Sequence, residues 1–177
     1  MRSIQVLGST GRLARTCAVL FAAGLWLAPA AYPQTTSQPK AESHPNFSGT
    51  WVMNPQKSDF GDVSAPDSLR YVIRHTGANL VLTSTQDGVT TRLEMTTDGQ
   101  ERVTQSEEDS EIWARVYWEE KTLVWQGRRK AKPAHQVDPV SWTSRWSLSE
   151  DGKVLTVKRQ ITVVQGTLEQ RITFDKK

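Results

Sequence analysis

The chain has 177 residues, of which 22 are basic and 19 acidic, and its single cysteine is Cys17. Three of the basic residues and none of the acidic ones lie in residues 1–31, so the rest of the chain is neutral and lacks cysteine. This balance argues against nucleic-acid binding. The lack of cysteine excludes disulfides, a thiolate nucleophile and a cysteine metal site from that part of the chain.

Residues 1–31 have the layout of an export signal. Three arginines precede an uncharged run from Cys17 to Ala31, which ends in Ala28-Pro29-Ala30, an A-x-A site for a signal peptidase. The run is shorter than the ~20 apolar residues that a membrane span needs. We therefore expect a signal peptide at 1–31, a periplasmic or secreted protein, and no stable membrane insertion after cleavage.

The remaining chain predicts a polar leader followed by an all-β domain. Residues 32–45 are polar and proline-rich, which is typical of a flexible leader. From residue 46 onward, apolar and polar residues alternate with a period of two, and a helical period is hard to find. Ten strands are predicted, near 46–53, 68–76, 79–85, 88–96, 99–105, 110–119, 122–130, 140–149, 153–164 and 167–175.

Short turns join these strands and suggest a barrel. Asp87-Gly88, Asp98-Gly99 and Asp151-Gly152 lie between alternating segments, and such pairs are typical of hairpin turns. An open sheet built from consecutive hairpins has two exposed edges, which closure removes. The sequence thus predicts one antiparallel up-and-down β-barrel of about 8–10 strands over residues 46–177, with little or no helix.

The stretch Phe47-Ser48-Gly49-Thr50-Trp51 opens the predicted barrel. Gly49 permits close approach of the backbone, and Trp51 points to the same face and can plug one end. A cation from the last strand can lie over the indole ring, and Arg171 is the only arginine on that strand. We predict that Trp51 is buried and that Arg171 covers it, so that Gly49, Trp51 and Arg171 join the first and last strands.

This opening, together with the terminal run Arg171 to Lys177 (RITFDKK), resembles the calycin superfamily. Lipocalins in that superfamily have a Gly-x-Trp strand and a distant arginine. Fatty-acid-binding proteins have Gly-Thr-Trp on the first strand and end in an Arg-Ile-Tyr-Glu-Lys-like strand. The layout looks most like that of the poorly characterised lipocalin-like proteins exported by bacteria. The resemblance implies a barrel that holds a small molecule.

The chain departs from fatty-acid-binding proteins at two places. Residues 54–68 are too short, and too rich in Pro, Gly and Asp, for the two helices that follow the first strand in that family. The family's Arg-x-Tyr pair, which holds a fatty-acid carboxylate, would fall on Arg171 and Thr173, so the tyrosine is missing. The resemblance therefore does not supply that carboxylate clamp.

Large aromatic residues lie on inward-facing positions of the middle strands. They either fill the core or line a cavity, because an eight- to ten-stranded barrel is about wide enough inside for one small ligand. The four residues are Trp118, Trp125, Trp142 and Trp146. The alternation alone leaves both alternatives open.

Arg159 favours the cavity, because it shares a face with Leu155 and Val157. An inward arginine is costly unless it is paired, and a ligand carboxylate would pair with it, with Tyr71 as a second donor. A one-residue bulge would instead turn Arg159 towards solvent. The loop 54–68 is the longest connection between strands, and its Phe60 is predicted to cap the mouth of the barrel as a lid.

The sequence predicts neither a metal site nor catalytic residues. His44, His75 and His135 are isolated from one another, and most acidic residues lie at turns. No nucleophile elbow, phosphate loop or zinc-binding His-Glu-x-x-His motif is present. We expect no enzyme activity and no cofactor.

The predicted function is non-catalytic binding of a small, mainly apolar molecule, with or without an acidic group, inside the barrel. A filled barrel that acts through its surface as a protein-interaction module in the cell envelope is the alternative. An enzyme of unknown reaction is the third hypothesis. Protein partners are not indicated by any motif.

Overall fold

The computed structural model describes residues 44–177. The predicted signal peptide, and all but the last two residues of the predicted leader, lie outside the described residues. Within them the chain forms ten strands, which confirms the predicted number. The strands are β1 Gly49–Met53, β2 Leu69–Thr76, β3 Asn79–Gln86, β4 Val89–Thr96, β5 Arg102–Ser106, β6 Ser110–Glu119, β7 Thr122–Ala131, β8 Ser141–Leu148, β9 Val154–Val163 and β10 Gly166–Lys176.

Helical structure is limited to one short element. A 3₁₀ turn spans Pro55–Lys57, directly after β1. Across residues 44–177, no helix has both the length and the apolar character needed to cross a membrane. The all-β prediction is therefore confirmed.

The ten strands form one antiparallel sheet in the order β4-β3-β2-β1-β10-β9-β8-β7-β6-β5. β1 pairs with β10, as predicted, and Trp51 lies opposite Lys176 while Met53 lies opposite Phe174. The first and last strands thus meet in the middle of the sheet. The sheet curls into a half-barrel whose two edge strands are β4 and β5.

The predicted series of hairpins is interrupted between β4 and β5, which do not pair with each other. Asp98-Gly99 does join the two strands, but β4 pairs only with β3, and β5 pairs only with β6, among the residues that the structure describes. The Gly99 amide donates instead to the Val116 carbonyl, at 2.9 Å, so the turn crosses towards β6. In contrast, Asp87-Gly88 forms the expected hairpin, with positive φ at both residues (49° and 85°).

The inner face of the sheet carries the core. The alternation places apolar side chains of every second position there, and the core packs most densely at the end of the sheet where residues 44–48 lie. We call this end the aromatic end. Its fully buried large side chains are Phe47, Trp51, Ile73, Leu80, Leu123, Trp146, Leu155, Ile172 and Phe174. At the opposite end of the strands, Val89 is 71% exposed and Val163 36% exposed.

Trp51 is buried, as predicted, but the cation over its ring is Lys176 and not Arg171. The Lys176 ammonium lies 5.1 Å from the centroid of the Trp51 ring. Arg171 is exposed, and its backbone exchanges two 2.7 Å hydrogen bonds with Asp59. The reason is the strand period of two: Arg171 is five residues from Lys176, so it points to the opposite face.

Gly49 does permit a close approach, but the approaching group is a side chain and not the predicted backbone. Its φ is +146°, and a Cβ atom on it would lie 2.8 Å from the Cε atom of Lys176. A side chain at position 49 would therefore meet the lysine stem that crosses the Trp51 ring.

Candidate functional site

A row of inner-face residues crosses four neighbouring strands from β6 to β9. Val116 pairs with Trp125, Trp125 with Ser144, and Ser144 with Arg159. Paired residues on neighbouring antiparallel strands point to the same face. The register of β9 with both of its neighbours is continuous, so no bulge turns Arg159 away. Arg159 therefore shares its face with the buried Leu155 and Val157, as predicted.

Ser144 in this row, and Trp146 two residues further along the same face of β8, carry buried polar atoms that lack a partner. The Ser144 Oγ and the Trp146 Nε1 are buried, and neither has a hydrogen-bond partner within residues 44–177. Arg159 is half-buried, and it forms no ion pair with any described residue. An unsatisfied buried donor costs about 1–3 kcal/mol, so the two buried donors beside Arg159 need an explanation. A ligand acceptor would supply one.

The middle tryptophans form a cluster beside this row. Trp125 makes edge-to-face contacts with Trp142 and Trp146, with centroid distances of 6.1 and 6.5 Å. Trp142 lies over Gly127, where a Cβ atom would be 2.1 Å from its ring. The glycine thus provides the space that the Trp142 ring occupies.

Two of the predicted ligand contacts belong to the packed core of the aromatic end. Tyr71 and Trp146 are 4% and 1% exposed, and Tyr71 stacks on Phe174 with a centroid distance of 4.5 Å. Trp118 is partly buried and stacks on the His44 ring at 4.4 Å. The structure therefore places Arg159 on the same face as the contacting pair Trp125 and Trp142. It places Tyr71, Trp118 and Trp146 in the packing of the aromatic end.

The loop 54–68 lies against β10. Besides the Asp59–Arg171 backbone pair, the Gln170 side chain donates to the Phe60 carbonyl at 3.4 Å. Phe60 is partly buried and packs against the core. Its predicted role as a lid stays a prediction.

The electrostatics of the described residues are concentrated at turns and on the outer face. Among residues 44–177, no group of three or more His, Cys, Asp or Glu side chains could hold a metal ion. The strongest perturbation is at the turn after β4, where hydrogen bonds from the Arg102 guanidinium lower the pKa of Asp98 to about 2. On the outer face, Arg145 pairs with Glu119 and lowers the pKa of that carboxyl group.

A cavity of about 310 Å³ opens between β4 and β5–β6. Most of its apolar lining comes from the inner face, and one of the predicted ligand contacts, Trp125, is part of it. Val103 is the exception, because its register partner Trp113 points outward. The apolar lining residues are Leu93, Met95, Val103, Ala114, Val116 and Trp125. This opening lies on a different side of the sheet from the loop 54–68, where the sequence placed the mouth.

Two further concavities are polar and lie mainly on the outer face. One of about 550 Å³ is bordered by Arg115, Gln126 and Arg128. The other, of about 370 Å³, is bordered by Lys158 and Arg171, and Arg159 also reaches its border. These outer surfaces offer charge and hydrogen bonds but little apolar lining.

Sequence reasoning missed Ser144, Gly127 and the residues of the opening. Ser144 could have been found, because it interrupts an apolar face between Trp142 and Trp146. Gly127 is an interior strand glycine, which often marks a close approach. Leu93 and the other residues of the opening could not have been found, because nothing in the local pattern shows that β4 lacks a second neighbour among residues 44–177.

The sequence matches no protein-family model and no curated protein. Solved structures do match. A zebrafish ileal bile acid-binding protein complexed with cholic acid superposes with a TM-score of 0.52 at 16% identity, over 74% of this chain and 98% of that one. A protein described as the REP1-NXSQ fatty acid transporter superposes with a TM-score of 0.50 at 12% identity, over 73% and 95% of the two chains. At such identities the likeness concerns the fold, and we conclude that residues 44–177 have a calycin-like fold.

Proposed function

We propose that the protein binds, without catalysis, a small and mainly apolar molecule with an acidic group on the inner face of its sheet. The observation that carries this proposal is the register pair of Ser144, whose buried hydroxyl has no partner within residues 44–177, with the half-buried Arg159, which forms no ion pair there. The Nε1 of Trp146, two residues from Ser144 on the same face, is a second buried donor without a partner in that range. A carboxylate accepts several hydrogen bonds at once and would neutralise the arginine. The similar structures support the proposal, since they are described as a bile acid-binding protein with cholic acid and a fatty acid transporter.

The first test compares acids with matched alcohols. The purified protein is titrated with long-chain carboxylates and with alcohols of equal length while tryptophan emission is recorded. We expect preference for the acids, and we expect Arg159→Gln to remove it, because a charged hydrogen bond is worth about 1.5–3 kcal/mol, roughly 10- to 150-fold in affinity. Lys158→Gln is the matched control, since it removes the same charge one residue away on the outer face.

A second variant separates a binding role from a structural one. Ser144→Ala removes a buried hydroxyl that has no partner in residues 44–177. We expect the ligand-free protein to keep or gain stability, because the desolvation cost of the unpaired hydroxyl disappears. The same change should weaken acid binding. A loss of stability with unchanged binding would show that Ser144 is structural.

One observation favours the alternative function, a filled barrel that acts through its surface as a protein-interaction module. The aromatic end is filled, and Tyr71, Trp118 and Trp146 contribute to that packing. Equal and weak emission changes with every acid and alcohol would mean that the tryptophans only fill the core. The outer concavity bordered by Arg115 and Arg128 would then be the better functional surface.

We also propose that the protein is exported and cleaved near Ala31. The support is the order of arginines, apolar run and Ala28-Pro29-Ala30 in residues 1–31. N-terminal sequencing of the protein from its own host should return a start close to Ala31. A protein that starts at Met1 in the envelope fraction would contradict cleavage.

A further inference from the structure

The opening between β4 and β5 exposes the inner face at the side of the sheet. β4 and β5 do not pair with each other, and β4 approaches β6 instead. The resulting cavity of about 310 Å³ has inner-face side chains as its floor. Ala114 and Val116 are 5% and 4% exposed there, while Leu93 and Met95 are partly buried.

The turn between the two strands holds them apart. The Arg102 guanidinium donates two hydrogen bonds to the Asp98 carboxylate, at 2.8 and 2.6 Å. The Asp98 carboxylate also accepts from the Gln100 amide at 3.0 Å, and Gly99 donates to Val116 on β6. These bonds direct the chain across to β6 before β5 begins. The hydrogen bonds of this turn therefore keep β5 away from β4 and leave the opening between them.

One row of register pairs on the inner face links the opening to Ser144 and Arg159. Trp125 lines the cavity and is also the register partner of Ser144, which in turn pairs with Arg159. From Val116 to Arg159 the row crosses three strand spacings of about 4.8 Å, roughly 14 Å in total. An extended molecule with its acidic group at Arg159 would reach the cavity floor with its other end.

We propose that the opening between β4 and β5 holds the apolar tail of the ligand, which lies across the strands with its acidic group at Arg159. This inference rests on the proposed function and adds a location and a length to it. The ligand class is an acid with an unbranched or flat apolar body at least as long as the distance from Arg159 to Val116. Shorter acids reach only Trp125.

A strand from a second copy is the other occupant that two unpaired edges suggest. Charged residues on the edge strand β4 make this occupant unfavourable. Arg92 and Glu94 form a 2.6 Å ion pair there, and charged side chains on an edge strand oppose the addition of another strand. The apolar part of the lining, which includes Ala114, Val116 and Trp125, suits an apolar tail, whereas an added strand would use backbone groups.

The test is a chain-length series on the purified protein. Hexanoic, decanoic and hexadecanoic acids are titrated against the wild type, Ala114→Leu and Arg159→Gln. We expect wild-type affinity to rise with length by at least tenfold from the shortest to the longest acid. Ala114→Leu should lose about tenfold for hexadecanoic acid and leave hexanoic acid unchanged, because the added side chain fills the floor. Arg159→Gln should weaken all three acids by a similar factor.

Two further variants keep the result interpretable. Thr143→Leu adds the same side chain on the outer face and should change nothing. Leu93→Ala enlarges the opening and should favour hexadecanoic over decanoic acid more than the wild type does, which tests the site if Ala114→Leu fails to fold.

The outcomes separate the two proposals. If no acid binds at any length, the proposed function fails. If acids bind but Ala114→Leu weakens every length equally, or none, the acidic site stands and the tail site is wrong. A concentration-dependent dimer that Ala114→Leu abolishes would assign the opening to a second copy and overturn the tail site.

Discussion

Gly127 is the residue on which the position of Trp142 depends. It lies on β7 directly opposite Trp142, and its missing side chain leaves room for the indole ring. A Cβ atom at 2.1 Å from the ring could not be accommodated without moving it, since real contacts of this kind stay above about 3 Å.

The prediction at this residue is that Gly127→Ala displaces Trp142 from the cluster with Trp125. We expect a loss of about 1–3 kcal/mol in unfolding free energy, the usual cost of overpacking a core. Near-UV circular dichroism should show a changed tryptophan signal. Gly152→Ala is the control for stability loss without a clash: nothing lies within 4 Å of a Cβ atom there, but its φ of +67° strains alanine, so it should lower stability and leave the tryptophan signal unchanged. An unchanged aromatic spectrum in Gly127→Ala would contradict the packing of Trp142.

His75 holds the N-terminal segment of the described chain to β2. Its Nδ1 accepts a hydrogen bond from the Phe47 amide at 3.3 Å, and its Nε2 lies 3.1 Å from the Gly77 carbonyl oxygen. Because a carbonyl only accepts, these partners place the single proton on Nε2. Burial lowers the pKa of His75, the Gly77 hydrogen bond raises it, and the charge of His44 lowers it further, with a net lowering.

The prediction from this pKa shift concerns acid stability. A histidine whose folded pKa is lowered stabilises the fold above its unfolded pKa, near 6.5, and this contribution is lost as the pH falls through the folded pKa. The unfolding free energy should therefore drop between pH 7 and pH 5. His75→Gln, which can still accept from the Phe47 amide, should remove that part of the drop, while His44→Gln should retain most of it. The measurement is urea denaturation at the two pH values, and an equal drop in wild type and His75→Gln would contradict it.

At the scale of elements, β1 and β10 are the pair that joins the two halves of the sheet. The contact depends on the buried Trp51, on Lys176 over its ring, and on Gly49 beneath the lysine stem. The Trp51 Nε1 donates to the Phe47 carbonyl at 2.9 Å, which satisfies the only polar atom of the indole.

The prediction for this pair is a graded loss of stability. Trp51→Ala should cost ~3–5 kcal/mol as a large-to-small core change. Lys176→Ala should cost less, about 0.5–1 kcal/mol, as an exposed cation–π contact. Gly49→Ala should cost about 1–3 kcal/mol, because its φ of +146° is strained for alanine. Arg171→Ala is the control, and urea denaturation that ranks it above Lys176→Ala would contradict the assignment of the cation.

For the molecule as a whole, the strand order places the two ends of the described chain at the centre of the sheet and the middle of the chain at its edges. Within residues 44–177, β1 and β10 each have two strand neighbours, whereas β4 and β5 each have one. Stability should therefore fall from the centre of the sheet towards the opening.

The prediction for the whole molecule is a gradient of amide exchange. Amides of β1 and β10 should exchange slowest, and those amides of β4 and β5 that point into the opening should exchange fastest. Hydrogen exchange followed by mass spectrometry or NMR measures this. Protection of β4 and β5 equal to that of the central strands would mean that another segment pairs across the opening. Addition of a bound acid should slow exchange near Val116 if its tail lies there.

Much of the fold could be predicted from the residues alone. The period-two alternation identified ten strands, with bounds close to those observed. This works because the buried face of a strand appears in the sequence as an apolar residue at every second position. The Gly49 and Trp51 pair indicated that β1 meets β10. Arg159 was placed on the inner face because it lies two residues from Val157 and four from Leu155, and every second residue of a strand shares a face.

Three features were decided only by the tertiary structure. Which cation covers Trp51 depends on the register of β10 with β1, and register relates residues that are more than a hundred positions apart. The unpartnered state of Ser144 and Trp146 depends on what every neighbouring strand brings to the same place. The opening exists because hydrogen bonds of the turn at Asp98 direct β5 towards β6. Alternation reports which face of a strand is buried, and it carries no information about whether a strand has a second neighbour.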